Sequence, residues 1–402
     1  MINYTGFRRR NRRASFWNRQ QVETLEVRTL PAGNIAVSVV NGVLQIKGDD
    51  QANTLSIRQI PQTFTGPWPG ATFEIRTARD VSQLIFGDGP GEFTETAING
   101  SRSQNSIEVN GVTSGVNINL HGGNDRLFVG SFNNSAAPTA NLPGNVVIDA
   151  GAGDDDLRLY VVNFTETTFS GGYGEDSILV SSGPFLRLNV HTGYRDFTNP
   201  NNSGGRVQFI SLSVNGPLEF AGSPEDDVVE FYGNSVLNAR FTARFGDSEN
   251  SIFGNRGNRL TVSSESPSGA QLMPPEFRGP VFLSGGVGTD RFRLGLGGGT
   301  LRENDAQVFG SLRADLGAGN DSLYVLAGDG ATVDLNVDMG EGDDFAFLSY
   351  NYAALNNGLF TGQITAGPGD SDGITRPDDY GDAVITLFER VRYIEGLDNS
   401  NF

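Results

Sequence analysis

A turn of the form Gly-x-Gly-x-Asp, followed at once by an apolar–polar–apolar run, recurs along most of this chain, and no other feature restricts its fold as strongly. The copies read "LHGGNDRLFV" from 120, "DAGAGDDDLRL" from 149, "SGGYGEDSILV" from 170, "AGSPEDDVVEF" from 221, "FGDSENSIFG" from 245, "SGGVGTDRFRL" from 284, "LGAGNDSLYV" from 316, "MGEGDDFAFL" from 339 and "AGPGDSDGI" from 366. A weaker copy, "HTGYRDF", begins at 191. Glycine supplies positive φ at a tight corner, and Asp or Asn bonds its own turn through the side chain.

The residue closing each turn falls at Asp125, Asp155, Asp176, Asp196, Asp226, Asn250, Asp290, Asp321 and Asp344. From 125 to 344 there are 219 residues in eight intervals, about 27 per repeat, a period that belongs to solenoids. An alternating run also precedes many turns, as in "NVVID" at 145, "PVFLS" at 280, "SLRADL" at 311 and "TVDLNVDM" at 332. Strand, glycine turn, strand, variable segment is one coil of a parallel β-helix, so the predicted fold is all-β, a single-stranded right-handed parallel β-helix with capping strands at both ends. Leu157 and Leu159, Ile178 and Val180, Phe292 and Leu294, and Leu323 and Val325 are its inward ladders.

Three segments follow from this reading. Residues 1–33 are a basic export or targeting segment that is expected to be disordered; 34–118 form a β-rich N-terminal cap and the first coils; 119–402 form the β-helix proper and its C-terminal cap. "Val-Asn-Gly-Val" at 40–43 predicts a hairpin inside the cap. The proline-bearing stretch "SSESPSGAQLMPPEFRG" at 263–279 reads as the largest loop excursion.

Composition removes several function classes. Lys47 is the one lysine and the net charge is -18, which disfavours a nucleic-acid partner and favours cations. The chain has no cysteine, so it has neither disulfides nor thiolate metal sites. No run of apolar residues is long enough for a transmembrane helix.

The N-terminal stretch reverses the charge of the rest, with Arg8, Arg9, Arg10, Arg12, Arg13 and Arg19 in "FRRRNRRASFWNRQQ" and then "VETLEVRTLPAG". Leu25, Glu26, Arg28 and Leu30 resemble the LEPR-x-LL motif at the N-termini of planctomycete exported proteins, with Val27 in place of its Pro and Pro31 in place of its second Leu. The resemblance implies export to the cell surface or medium.

The turns admit two readings. One makes the aspartates turn-formers; the other stacks them as ligands for Ca²⁺, a hard ion that takes six to eight oxygens. Gly171, Gly172, Gly174 and Asp176, and again Gly285, Gly286, Gly288 and Asp290, resemble the hemolysin-type (RTX) calcium-binding nonapeptide, although here the turns recur at 20 to 40 residues rather than nine. What that resemblance implies is a ligand set drawn from Asp125, Asp154, Asp155, Asp176, Asp226, Asp290, Asp321, Asp343 and Asp344.

Catalysis has only generic candidates: Asp226, Asp227 and Glu230 as a carboxylate group, or Arg291 and Arg293 beside the turn at Asp290. His121 and His191, 70 residues apart, form no recognisable constellation. The expectation is a non-catalytic, exported structural and adhesive module meeting a cell-surface or matrix polysaccharide or protein. A carbohydrate-active β-helix, a lyase or glycoside hydrolase, is the alternative.

Overall fold

The computed structural model describes residues 33–60, 70–77, 96–101, 104–130, 140–181, 183–193, 204–247, 257–263, 275–295, 307–308, 310–327, 332–350, 359–365, 367, 373–375 and 391–394. The basic segment, the LEPR-like motif and most of the 263–279 excursion lie outside them. Among the described residues every regular element is a strand, and no helix is long and apolar enough to cross a membrane.

Parallel pairing of in-register strands dominates. One column begins at Val43–Lys47 and Gly115–Asn119, passes through Asn145–Ala152 and the second half of the long strand Asp156–Tyr173, and ends at Val391–Ile394. A second column begins at Thr54–Gln59 and Arg126–Gly130, takes the first half of Asp156–Tyr173, and ends at Gly373–Thr375. A third, of short strands, runs through Ser213–Val214, Val236–Leu237, Glu276–Phe277 and Gln307–Val308. Each pass along the chain visits the columns in turn, a pattern compatible with a β-solenoid.

Strict alternation explains why these strands stack. Ile46, Ile118, Ile148, Phe169, Val190, Phe220, Ala243, Leu283, Ala314, Val337 and Ile364 form one buried row of the first column, each on the register partner of the last. Leu157 and Leu159, Ile178 and Val180, Phe292 and Leu294, and Leu323 and Val325 are buried in the second, as the alternation predicts. The columns share one core. Phe231 of the second packs edge-on against Phe241 of the first, with ring centroids 5.3 Å apart, and Phe277 of the third, at 5.5 Å. No single coil buries these rings, so each depends on its neighbours.

The N-terminal part departs from pure stacking. Asn34–Val40 and Val43–Lys47 form the expected antiparallel hairpin, closed by Asn41 and Gly42 at φ 52° and 77°. Ala71–Thr77 runs antiparallel both to Thr54–Gln59 and to Ser106–Val112, adding a small meander beside the first coil.

Candidate functional site

The glycine turn joins the first column to the second, and its geometry explains its composition. Gly172 adopts φ +109°, and a Cβ placed there would lie 1.7 Å from the carbonyl oxygen of Gly151 on the preceding coil. Both the conformation and the close approach of coils exclude a side chain.

The aspartate that closes the turn has the same inward parity as the apolar residues of the strand after it. At a corner the regular ladder is interrupted, and a main-chain N–H there needs another acceptor. The side chain supplies it. The N–H of Asn53 donates to Oδ1 of Asp125 at 2.6 Å, that of Asp125 to Asp155 at 2.7 Å, and that of Asp155 to Asp176 at 3.1 Å. Further on, the N–H of Gly205 donates to Asp227 at 2.9 Å, Asp227 to Asn258 at 3.1 Å, Asn258 to Asp290 at 2.8 Å, Asp290 to Asp321 at 2.7 Å and Asp321 to Asp344 at 2.8 Å. The result is an inner row of buried side chains on successive coils, interrupted at Gly205.

Most members of the row use only one oxygen in this way. Oδ2 of Asp125, Asp155, Asp176 and Asp321 is buried and accepts no hydrogen bond. Oδ2 of Asp227 instead accepts the N–H of Ser223 at 2.7 Å, and Oδ2 of Asp290 that of Gly286 at 3.0 Å. Burial of the charge is the main cause that raises these carboxyls, against the lowering effect of the N–H donors. Asp125, Asp176 and Asp321 reach about 8, Asp155 and Asp227 about 7, and Asp290 about 6. Two bare carboxylates one coil apart, about 4.8 Å, would repel by ~3–4 kcal/mol at an effective dielectric of ~20. An occupant that neutralises them is needed at neutral pH, either a proton or a cation.

A shorter outer row flanks the inner one. Oδ1 of Asn124 accepts the N–H of Asp154 at 3.2 Å, and Oδ1 of Asp154 accepts that of Glu175 at 3.0 Å. Asn320 receives the N–H of Asp343 at 3.2 Å in the same manner. Asp154 and Asp343 are thus exposed neighbours of the row, outside it.

Of the residues expected at the turns, Asp125, Asp155, Asp176, Asp290, Asp321 and Asp344 stand together in the inner row. Three positions need correction. The coil after Gly205 is closed by Asp227, and Asp226 lies half-exposed one residue earlier. Asn258 holds the next position through bonds to Asp227 and Asp290, whereas Asn250 lies outside the described residues. The apparent intervals of 24 and 40 thereby become steps of 31 and 32. Asp196 is also outside the described residues, and Gly205 occupies its coil's place. Asn53 was not anticipated. A signal for Asn258 did exist: "NRL" at 258–260 repeats "DRL" at 125–127 and "DRF" at 290–292.

Of the residues considered for catalysis, Asp227, Glu230 and Arg293 are engaged in structural contacts. Oδ1 of Asp227 also accepts from the Thr192 hydroxyl at 2.8 Å, and Glu230 is held by Arg206 at 2.7 Å and Gln208 at 2.9 Å. Arg293 lies over the Tyr324 ring, 5.2 Å from its centroid, and Arg291 aligns with Arg259 and Ser322 on the second column. His121 and His191 are exposed.

As a cation site the row offers buried, unsatisfied carboxylate oxygens on successive coils, which suits a hard ion. No group of three acidic or histidine side chains converges among the described residues, so any ion would draw at most two carboxylates and take main-chain carbonyls or water for the rest. No protein family, curated protein or solved structure matches this chain.

Proposed function

We propose that the chain is a right-handed parallel β-helix, exported to the cell surface or medium, where it serves as a non-catalytic structural and adhesive module that takes Ca²⁺ at its acidic turns. The observation that carries this reading is the inner row. The sequence's one repeated motif is spent on joining coil to coil, and two of the carboxylates named as catalytic candidates, Asp227 and Glu230, are bound up in the same scaffold. Oδ2 of Asp155 with that of Asp125 or of Asp176 would hold one ion, and Oδ2 of Asp321 would take part in another further along the row, each neutralising charge between adjacent coils. Asp290 and Asp344 extend the same row, and Asp154, Asp226 and Asp343 add negative field outside it.

Two measurements test the reading. Fractionation of native cells should recover the protein at the surface or in the medium; recovery in the cytosol overturns the extracellular role. Thermal unfolding of the full chain in chelator and then in millimolar Ca²⁺, with Mg²⁺ as control, should show a calcium-specific rise of the midpoint. An unchanged midpoint removes the ion and leaves the aspartates as proton-carrying turn-formers.

A further inference from the structure

On the opposite side of the first column from the core, a cleft of about 600 Å³ lies across the outward face of five successive strands, Phe241–Arg244, Val281–Val287, Gly310–Ala318, Thr332–Asp338 and Leu359–Thr365. Its volume falls within the ~300–1,000 Å³ of ordinary ligand sites. Five strands span about 19 Å across the column, so the cleft is elongated across the coils.

Its lining sets basic and acidic groups side by side. In a chain of net charge -18, Arg240, Arg244 and Arg313 all line this one cleft. Only Asp315 and Asp338 oppose them there. Register places Phe282, Arg313, Asn336 and Gln363 in one outward row and Arg244, Ser284, Asp315, Asp338 and Thr365 in the next. The Arg313 guanidinium lies over the Phe282 ring, 5.8 Å from its centroid, which holds it on the cleft floor. Arg240 is tied to Glu219 at 2.8 Å. Arg244 is exposed, and no hydrogen bond or ion pair engages its side chain among the described residues.

We infer that this cleft binds an acidic glycan, a linear oligosaccharide of uronate units, with Arg244 and Arg313 taking sugar carboxylates. A guanidinium meets a carboxylate through two parallel N–H donors, which gives orientation as well as attraction. Asn336 and Gln363, joined to each other at 2.9 Å, and Ser284 supply the neutral donors and acceptors that sugar hydroxyls require. Asp315 and Asp338 accept from hydroxyls and reject a ligand that is uniformly anionic. A peptide fits less well. The floor is a sheet face whose main-chain groups are already paired between coils, so no strand can be added to it.

The inference rests on the adhesive reading only in placing the ligand outside the cell. Calorimetric titration of the full chain with oligogalacturonate tests it. Chelator is present throughout, so that bridging by Ca²⁺ plays no part. Malto-oligosaccharide, heparin oligosaccharide and polyglutamate serve as the neutral, sulfated and peptide arms. Binding of oligogalacturonate in preference to all three is expected. Arg244→Gln with Arg313→Gln should weaken it by about tenfold or more at an unchanged unfolding midpoint, whereas Arg126→Gln, an exposed arginine on the second column, should leave it intact. Should Arg313→Gln disturb the Phe282 packing, Arg244→Gln alone must still weaken binding by about threefold or more.

Absence of oligogalacturonate binding, equal binding of heparin or polyglutamate, or an equal loss in Arg126→Gln each overturns the site. Surface recovery without glycan binding sinks the cleft alone. Cytosolic recovery with binding intact sinks the extracellular role alone.

Discussion

At the scale of the residue, an acid that points inward usually destabilises a core, yet here it recurs coil after coil because its Oδ1 receives an N–H that has no other acceptor. Charge is interrupted along the row: among the described residues Asp125, Asp155 and Asp176 are followed by Gly205, and Asp227 by Asn258. Replacing Asp155 with Ala strips the Asp125 N–H of its partner in a buried site, and should cost ~1–3 kcal/mol in urea unfolding. Asp155→Asn, which keeps an accepting oxygen as Asn258 does, should cost less. The raised carboxyls also fix a pH dependence. A folded pKa of about 8 for Asp125, Asp176 and Asp321 exceeds the ordinary 3.8, so the folded state holds more protons than the unfolded one between those values. Their contribution to stability is complete below about pH 4 and is lost as pH rises through about 8. Without divalent ions the unfolding midpoint should therefore be higher at pH 5 than at pH 8; a midpoint that rises with pH would contradict the protonated row. Saturating Ca²⁺ that replaces those protons should flatten the slope.

At the scale of the element, the glycines divide into those that must be glycine for contact and those that need it only for conformation. Gly172→Ala drives a Cβ into the Gly151 carbonyl, while Gly310, at φ +112°, faces nothing within 4 Å. Gly310→Ala should then cost ~1–3 kcal/mol for backbone strain alone, and Gly172→Ala clearly more, as compared by urea midpoints. Strand alternation and the glycine turns were legible because both are local: a period of two and a fixed five-residue corner mark themselves in any single coil. The row's membership was less so. "SPEDDV" offers two adjacent acids, and only the register of Val228 with Arg206 shows that Asp227, not Asp226, turns inward. The coil at Asn258 escaped because its corner closes on an amide rather than an aspartate. The short third column, two residues per coil at 213–214, 236–237 and 276–277, has too little length for a pattern to show. The arginine cleft was illegible for another reason, since Arg244, Arg313 and Gln363 come together only through stacking across coils.

At the scale of the whole molecule, interactions run from each coil to the next, so coils should be removable in integral units. Asp155 and Asp176 are neighbours in the row 21 residues apart, and excising 156–176 would pair Ser177–Ser181 with Arg126–Gly130 in the register now held by Asp156–Tyr160. That deletion should retain the strand signature in circular dichroism and a cooperative melt, whereas excising only 156–166 should abolish the melt, because it removes a second-column strand without closing a coil. The step at Gly205 has a mechanical meaning. Elsewhere in the row, tension along the stack is shared between main-chain bonds and a side-chain tether at the corner. Between the coils of Asp176 and Gly205 the corner retains the main-chain bond from Arg206 to Asp176, 2.7 Å long, and position 205 has no side chain to take the Asp176 N–H. A chain anchored at one end and pulled at the other would part there first, yielding two rafts of coils and shielding each from the load that broke the joint.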